Sequence, residues 1–591
     1  MNTKTTNKKP ACRLLPQGRK NWMRISMAGV FYLLLLSFSP LLLFSSCSDL
    51  MDTDSELVEF EEDNKLQSPT DSVYSVMGII YKMQAVADRT VLLGELRSDL
   101  TTTTAYASAD LKAITNFQID TDNAYNRISD YYAIINNCNY FLTHINKDLV
   151  KNDRKVFEAE YAVVKAFRAW TYFQLAQVYG QVPLVTEPLL TEEAAREAMT
   201  SNISDITTIC NYFIDDLTPY VDTKLPTYGQ INNQNSQKYF IPVRALLGDL
   251  CLWAGRYQEA AQFYHDFLAM RTKPVPTSRS QTYWWNVSAK EFTTVTYSLS
   301  YESSKDECLS YIPMESNEFY GIKSELSNIF NSTEVNQYYA QVVPANGLRQ
   351  LSAKQNFCAT YTKIDGTQDT IYVPKENMES ELFGDLRFAT VWRKNILSRE
   401  RFSRLSSDYQ TIIKVNTGSV TLYRVNIVYL RYAEALNRAG YPQSAFAVLK
   451  YGLYDDIINK QIDEAERTAA RDLISFDRDL FTVNNTQGVH SRGSGDANCD
   501  TLYVLPQPTY ALATRQDTVN YQIPLVEDLI IDEMALEGAF EGYRFYDLMR
   551  VALRRGDPSY LAAPIARRNG ETDNAIYQLL MDPKNWYLPQ P

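Results

Sequence analysis

Tyr283, Trp284 and Trp285 stand side by side in QTYWWNVS, a polar stretch with no helical periodicity to explain three large rings. Exposed tandem aromatics are costly unless they meet a partner. A flat ring stacks on the apolar face of a sugar, and Asp, Asn, Gln or Arg side chains at fixed positions satisfy its hydroxyls. Three uses are open to this trio: a ligand platform, local core beneath loops, or a contact for a partner protein. Two other stretches offer similar chemistry, Tyr320 in NEFYG and Tyr106 with Asp110 in TTTTAYASAD. Many of the 41 Tyr and 7 Trp are packing residues instead, among them Trp170 and Trp253, which fall inside helical patterns.

Covalent chemistry finds little footing. His144, His265 and His490 lie in separate segments, and HExxH, GxSxG and a phosphate-cradling glycine loop are all absent from the sequence. The histidines therefore read as non-catalytic, and the chain as a non-enzyme with no cofactor. No DxDxDG loop marks a calcium site, and no metal site is expected. A glycosidase needs two carboxylates at a set spatial separation, which 70 acidic residues permit without specifying. Cys138, Cys210, Cys251, Cys308, Cys358 and Cys499 are spread singly, with no CxxC and no adjacent histidine. They read as small buried residues, with a disulfide among them left open.

The stretch EGYRFYDLMR is the tempting exception. On a helix, Glu541, Arg544 and Asp547 fall three apart and form a charged stripe, while Phe540, Phe545 and Leu548 take the core side. The expected role is structural, with ions bridging locally along the helix. GDLRF, with Asp385 and Arg387, reads the same way.

The elements that would carry these residues are mostly helices. From Asp71 to about Asp266 apolar residues recur every three or four positions, as in NISDITTICNYFIDDL, where Ile203, Ile206, Ile209, Phe213 and Leu217 share a face. In LLGDLCLWAGRYQEAAQFY, Leu247, Gly248, Cys251, Gly255, Tyr257, Ala260 and Tyr264 follow tetratricopeptide spacing. YAEALNRAGYPQSAFAVL repeats the offsets, and YFQLAQVYG is a half copy. From about residue 271 to 400 the periodicity fades and strand-like runs such as FTTVTYSL and TIYV appear. Helical texture then returns and dominates residues 401–591. The expected fold is mainly α: tetratricopeptide-like helix pairs forming a superhelical frame, with a loop-rich subdomain containing short strands.

At the N-terminus, an apolar run from Ala28 to Phe44 follows a basic segment and ends in Ser45, Ser46 and Cys47. It is broken by Ser37, Ser39 and Pro40, which suits a cleaved secretory signal and not a membrane span. Its end resembles the bacterial lipoprotein signal, in which the cysteine is acylated and the chain is cut just before it. Residues 1–46 are then signal, Cys47 the lipidation site, and the acid-rich residues 47–70 a solvated tether. Removing residues 1–46, which hold seven bases and no acid, takes the formal charge from −12 to −19. Such a chain repels nucleic acid, which is not an expected partner.

The order of several motifs resembles the SusD/RagB family of outer-membrane nutrient-binding lipoproteins across nearly the whole mature length. They are ELRSD, with Arg97 and Asp99; YYAIINNCNYFL, with Ile135 and Asn139; and FEAEYAVVKAFRAWTYFQLAQVYGQVPLV, with Glu160, Arg168, Ala169, Tyr172, Gly180, Pro183 and Leu184. YLRYAEALNRAG and the segment from Glu533 to Arg550 complete the set. Where family members usually continue past the final proline-rich stretch, this chain stops at NWYLPQP. The resemblance implies a helical part at 71–270, a variable insertion at 271–400 and a second helical part at 401–591. It further implies a lipid-anchored protein of the outer membrane, facing the cell exterior, whose partner is a SusC-like TonB-dependent transporter. The implied ligand is an oligosaccharide or, in the RagB branch, a peptide; a surface hydrolase or adhesin is the remaining alternative.

Overall fold

The window LLGDLCLWAGRYQEAAQFY folds as two antiparallel helices, Val243–Trp253 and Tyr257–Ala269, with the turn at Gly255. Gly255 takes a φ of +77°, a conformation that costs glycine little. Gly248 sets how closely the pair approaches, since a Cβ there would sit 2.4 Å from the Tyr264 ring. The second copy forms the pair Val425–Arg438 and Pro442–Lys450. The helix Val425–Arg438 joins the pairs into a frame, packing on Tyr257–Ala269 and on the long helix Arg515–Gly538. The half copy closes the helix Glu158–Tyr179 at Gly180, where a Cβ would meet the Tyr587 ring at 3.1 Å.

In this computed structural model the described residues are 69–590, without 232, 272–280, 287–290, 298–305, 317–318, 331–340, 356–357, 364, 373–383, 386, 388–391, 395–409, 413 and 416–417. The expected signal segment, Cys47 and all but the end of the expected tether lie outside them. The architecture is mainly α. Among the described residues the strands form two-stranded antiparallel sheets, including Cys308–Pro313 with Ser419–Arg424 and Cys358–Thr362 with Gln368–Tyr372. The runs FTTVTYSL and TIYV contribute to such strands. No helix among the described residues is long and apolar enough to cross a membrane.

Two local expectations shift. The first helix starts at Pro69, where the tether was expected to continue to residue 70, and runs to Glu95. Ile203 does not join the face of Ile209, Phe213 and Leu217. The Asp205 side chain accepts the Thr208 N–H and starts the helix at Ile206, leaving Ile203 exposed in a strand pair with Pro183.

The charged signatures meet each other across the molecule. Asp99 accepts both Nε and an Nη of Arg544, at 2.7 and 2.9 Å. Arg97 donates to the Tyr546 hydroxyl and to the Trp586 carbonyl. Glu95 accepts the Gly542 N–H at 2.8 Å. ELRSD and EGYRFYD are thus two halves of one buried joint. The final segment is part of the same packing: Leu588 N–H donates to the Val178 carbonyl, and Trp586 is buried.

The expectation of local ion bridging along EGYRFYDLMR is corrected by these pairs. Only Asp547 with Arg550 bridges within the helix Arg544–Arg555, at 2.9 Å. Glu541 instead takes Arg424 and Lys414, more than a hundred positions away, because the stripe is buried and each charge must find a partner on a facing element. The structural reading of the motif and of GDLRF holds: Phe540, Phe545, Leu548, Asp385 and Arg387 are all buried.

The same helix supplies a pH dependence. Glu434 accepts Arg550 at 2.9 and 2.5 Å and Arg554 at 3.0 Å. Burial alone would raise its pKa, but the guanidiniums outweigh burial and hold it at about 2. A depressed carboxylate pKa contributes stability that is fully present above the unfolded value, near 4.5, and is lost as the pH falls toward 2. The contribution is roughly 3 kcal/mol. In urea titrations, Glu434→Gln is expected to lower stability at neutral pH and to flatten the loss between those two pH values.

Candidate functional site

The first helix presents two faces. Val76, Ile79, Ile80, Met83, Val86 and Ala87 face the core, while Tyr81, Gln84 and Asp88, spaced three and four apart, line a second stripe. The segment 319–325 of the insertion is fastened along that stripe. Gln84 donates to the Pro313 carbonyl at 2.7 Å and accepts the Ile322 N–H at 2.9 Å. Asp88 accepts the Ser324 hydroxyl at 2.6 Å and the Glu325 N–H at 2.7 Å. Gly321 makes the approach feasible: its φ is +143°, and a Cβ there would overlap the Gln84 amide.

This fastening holds Tyr320 outward. Its ring is 86% exposed and lies parallel to Tyr81, with centroids 6.4 Å apart and planes within 3°. Sequence reasoning singled out Tyr320 and missed Tyr81, Gln84 and Asp88. The signal was present as an i, i+3, i+7 stripe off the apolar face of the helix.

Tyr106 and Asp110 are carried nearby. The strand Thr101–Thr103 pairs with Val342–Pro344, and the Thr104 and Ser108 N–H groups both donate to Gln341. Ser108 caps the helix Ala109–Thr115 that holds Asp110. Tyr106 is 70% exposed. The link to the first helix is Tyr125, whose phenol is pushed up to about 12 by burial and by the negative charges of Asp88, Asp110 and Glu325 around it. Asp110 and the two carboxylates along the fastened segment, Asp88 and Glu325, thus act on one phenol. Burial also raises the Asp88 carboxyl, against its two hydrogen bonds.

Tyr283, Trp284 and Trp285 lie in the strand Gln281–Asn286, paired with Glu291–Tyr297 in a hairpin, with Trp284 opposite Thr293 and Trp285 opposite Phe292. Their side chains fall outside the described residues, as does Cys47.

The histidines are spent on structure. His144 stacks on Tyr140, and His265 meets the Ser475 carbonyl. His490 lies between Glu533 at 2.8 Å and Asp500 at 3.0 Å, with the Ser494 hydroxyl 3.5 Å away. That grouping has the composition of a hydrolytic triad, yet His490, Ser494 and Asp500 are all buried and Nδ1 is already held by Glu533. It braces the end of the helix Arg515–Gly538.

A cavity of about 50 Å³ opens among Trp170, Gln174, Trp253, Asp249, Arg431 and Arg550. It admits one or a few waters, far short of the ~300 Å³ or more of a typical ligand pocket. Among the described residues no three or more His, Cys, Asp or Glu gather as a metal site.

Residues 56–216 match a SusD-like family described as starch-binding and associating with the outer membrane. No curated protein matches the chain. Solved structures share its fold, among them three from Bacteroides. A SusD homolog from Bacteroides thetaiotaomicron superposes with a TM-score of 0.55 at 17% identity, covering 90% of this chain and 96% of its own. A SusD superfamily protein from Bacteroides vulgatus gives 0.53 at 14%, covering 89% and 96%. A SusD-like carbohydrate binding protein from Bacteroides fragilis gives 0.50 at 15%, covering 82% and 86%. At such identities the likeness is one of fold, and it extends far beyond the segment that the family match covers. Residues 56–216 thus resemble a SusD-like family, and the chain as a whole shares the fold of solved SusD superfamily proteins.

Proposed function

We propose that the protein is a cell-surface lipoprotein, anchored through Cys47, that binds oligosaccharide and delivers it to a SusC-like TonB-dependent transporter of the outer membrane. The observation that carries this reading is the outward Tyr320 ring, laid parallel to Tyr81 and fixed from behind by Gln84 and Asp88. A ring held in this way stacks on the apolar face of a sugar at little entropic cost, and Tyr106 and Asp110 supply a second ring and an acceptor for hydroxyls. The trio Tyr283, Trp284 and Trp285 is proposed as a further platform. Binding needs no covalent step.

The test is affinity electrophoresis of the chain from Ser48 onward through gels containing different polysaccharides. Retardation in at least one gel is expected. Tyr106→Ala with Tyr320→Ala should weaken it roughly ten- to a hundredfold, with the thermal midpoint nearly unchanged because both rings are exposed. A Trp284→Ala, Trp285→Ala variant examines the second platform in the same gels. Full affinity in the tyrosine variant would overturn the assignment of this face. The carboxylates around Tyr125 favour a second reading, a peptide ligand bearing amines. Retardation by no polysaccharide, with salt-sensitive binding of basic peptides, would select it.

A further inference from the structure

Two cysteines from distant parts of the chain are brought into contact. Cys358 opens the strand Cys358–Thr362 of an insertion hairpin, and Cys499 follows the short helix Ser491–Ser494. Their sulfurs are 2.7 Å apart, closer than unbonded sulfur atoms pack. The backbone around them is well pinned. Asp496 N–H donates to the Cys358 carbonyl at 2.8 Å, and the Asp496 carboxylate accepts the Thr360 N–H at 2.9 Å. Cys499 N–H donates to the Asp496 carbonyl, and both sulfurs approach that same carbonyl, at 3.4 and 3.3 Å. Both residues are buried.

We propose that Cys358 and Cys499 form a structural disulfide in the exported protein, stapling the insertion hairpin to the segment that carries His490 and Arg492. The oxidant is a dithiol–disulfide exchange protein of the cell envelope. One cysteine thiolate attacks a sulfur of that protein's disulfide, breaking its S–S bond and leaving a mixed disulfide and one released thiolate. The second cysteine, as thiolate, then attacks the first cysteine's sulfur. The Cys358–Cys499 bond forms, the second thiolate of the oxidant is expelled, and the oxidant departs as a dithiol with the two electrons and two protons. In the folded chain, burial pushes the Cys358 thiol well up and suppresses its thiolate. Oxidation therefore precedes closure of this joint, and the finished bond is shielded from small thiols. The bond closes a loop of 141 positions, a length at which cross-linking removes much unfolded-state freedom.

The test uses the full-length protein extracted from the membranes of cells that export it. The protein is alkylated under denaturing conditions without reductant, digested and weighed by mass spectrometry. A linked peptide pair containing Cys358 and Cys499, two hydrogens lighter than the two thiol peptides and lost on reduction, is the expected result. Reduction under denaturing conditions should lower the thermal midpoint of the wild type and leave that of C358S/C499S unmoved. Quantitative alkylation of both residues in the unreduced wild type, or linkage of either to a different cysteine, would overturn the proposal without recourse to any variant.

Discussion

Replacing Glu537 by alanine is expected to lower the free energy of unfolding by about 3–5 kcal/mol, the cost of stranding buried charges. Glu537 is fully buried near the end of the helix Arg515–Gly538. Its Oε1 accepts Arg424 at 2.6 Å and the Asn426 amide at 3.0 Å, its Oε2 accepts Arg387 at 3.1 Å, and the Arg492 guanidinium forms an ion pair with it at 3.5 Å. Burial would raise its carboxyl, yet Arg492, Arg424 and Arg387 together hold it well below the usual carboxylate range. These arginines come from three separate segments, so one side chain ties the insertion, a strand and the short helix Ser491–Ser494 to the long helix. Glu307, Glu533 and Asp385 remain beside the arginines in the variant but do not fill the space Glu537 leaves. Urea unfolding with fluorescence and circular dichroism checks the figure. Glu537→Gln, which keeps the volume and removes the charge, should lose most of the same stability. A loss below about 1 kcal/mol in both would mean that water reaches the arginines and the network contributes little.

The sequence showed which residues were charged and amphipathic, but not which distant residues they faced. Tetratricopeptide spacing was legible because Gly248 and Tyr264 lie in one short window and meet each other. The partners of Glu541 were not, since it lies in the turn before the helix Arg544–Arg555 and Arg424 and Lys414 come from more than a hundred positions away, where no local rule points. The candidate site divides in the same way. Tyr320 and Tyr106 were visible as aromatics in polar stretches, where exposure follows from composition. Tyr81 sits in a helical segment where nothing singles it out, and only the fastening of residues 319–325 onto Gln84 and Asp88 turns it into the backing for Tyr320. Long-range hydrogen bonds of that kind have no periodicity to announce them.

The two signatures ELRSD and EGYRFYD lead to the second large effect, a pair of glycine substitutions in opposite directions. Gly542 has a φ of +91°, and a Cβ added there would sit 2.1 Å from the Thr90 carbonyl oxygen. Its own carbonyl lies 1.8 Å from where a Cβ on Gly94 would be, so backbone meets backbone between the first helix and the start of EGYRF. Backbone atoms on both sides cannot rotate aside as a side chain can. Gly542→Ala therefore forces the two segments apart, loosens the Gly542 N–H from Glu95 and strains a left-handed residue, for a loss of about 3–5 kcal/mol. Glu95, whose carboxyl burial raises to about 7, depends on that N–H and loses it in the variant. Gly78, sixteen positions before Gly94 on the same helix, has nothing within 4 Å of its added Cβ and a helical backbone. Gly78→Ala should instead raise stability by roughly 0.5–1 kcal/mol through helix propensity alone. Parallel urea titrations of the two variants read both signs. A neutral Gly542→Ala would show that the joint between the signatures yields to a methyl group, and that the close approach of the two backbones is not what holds the first helix in place.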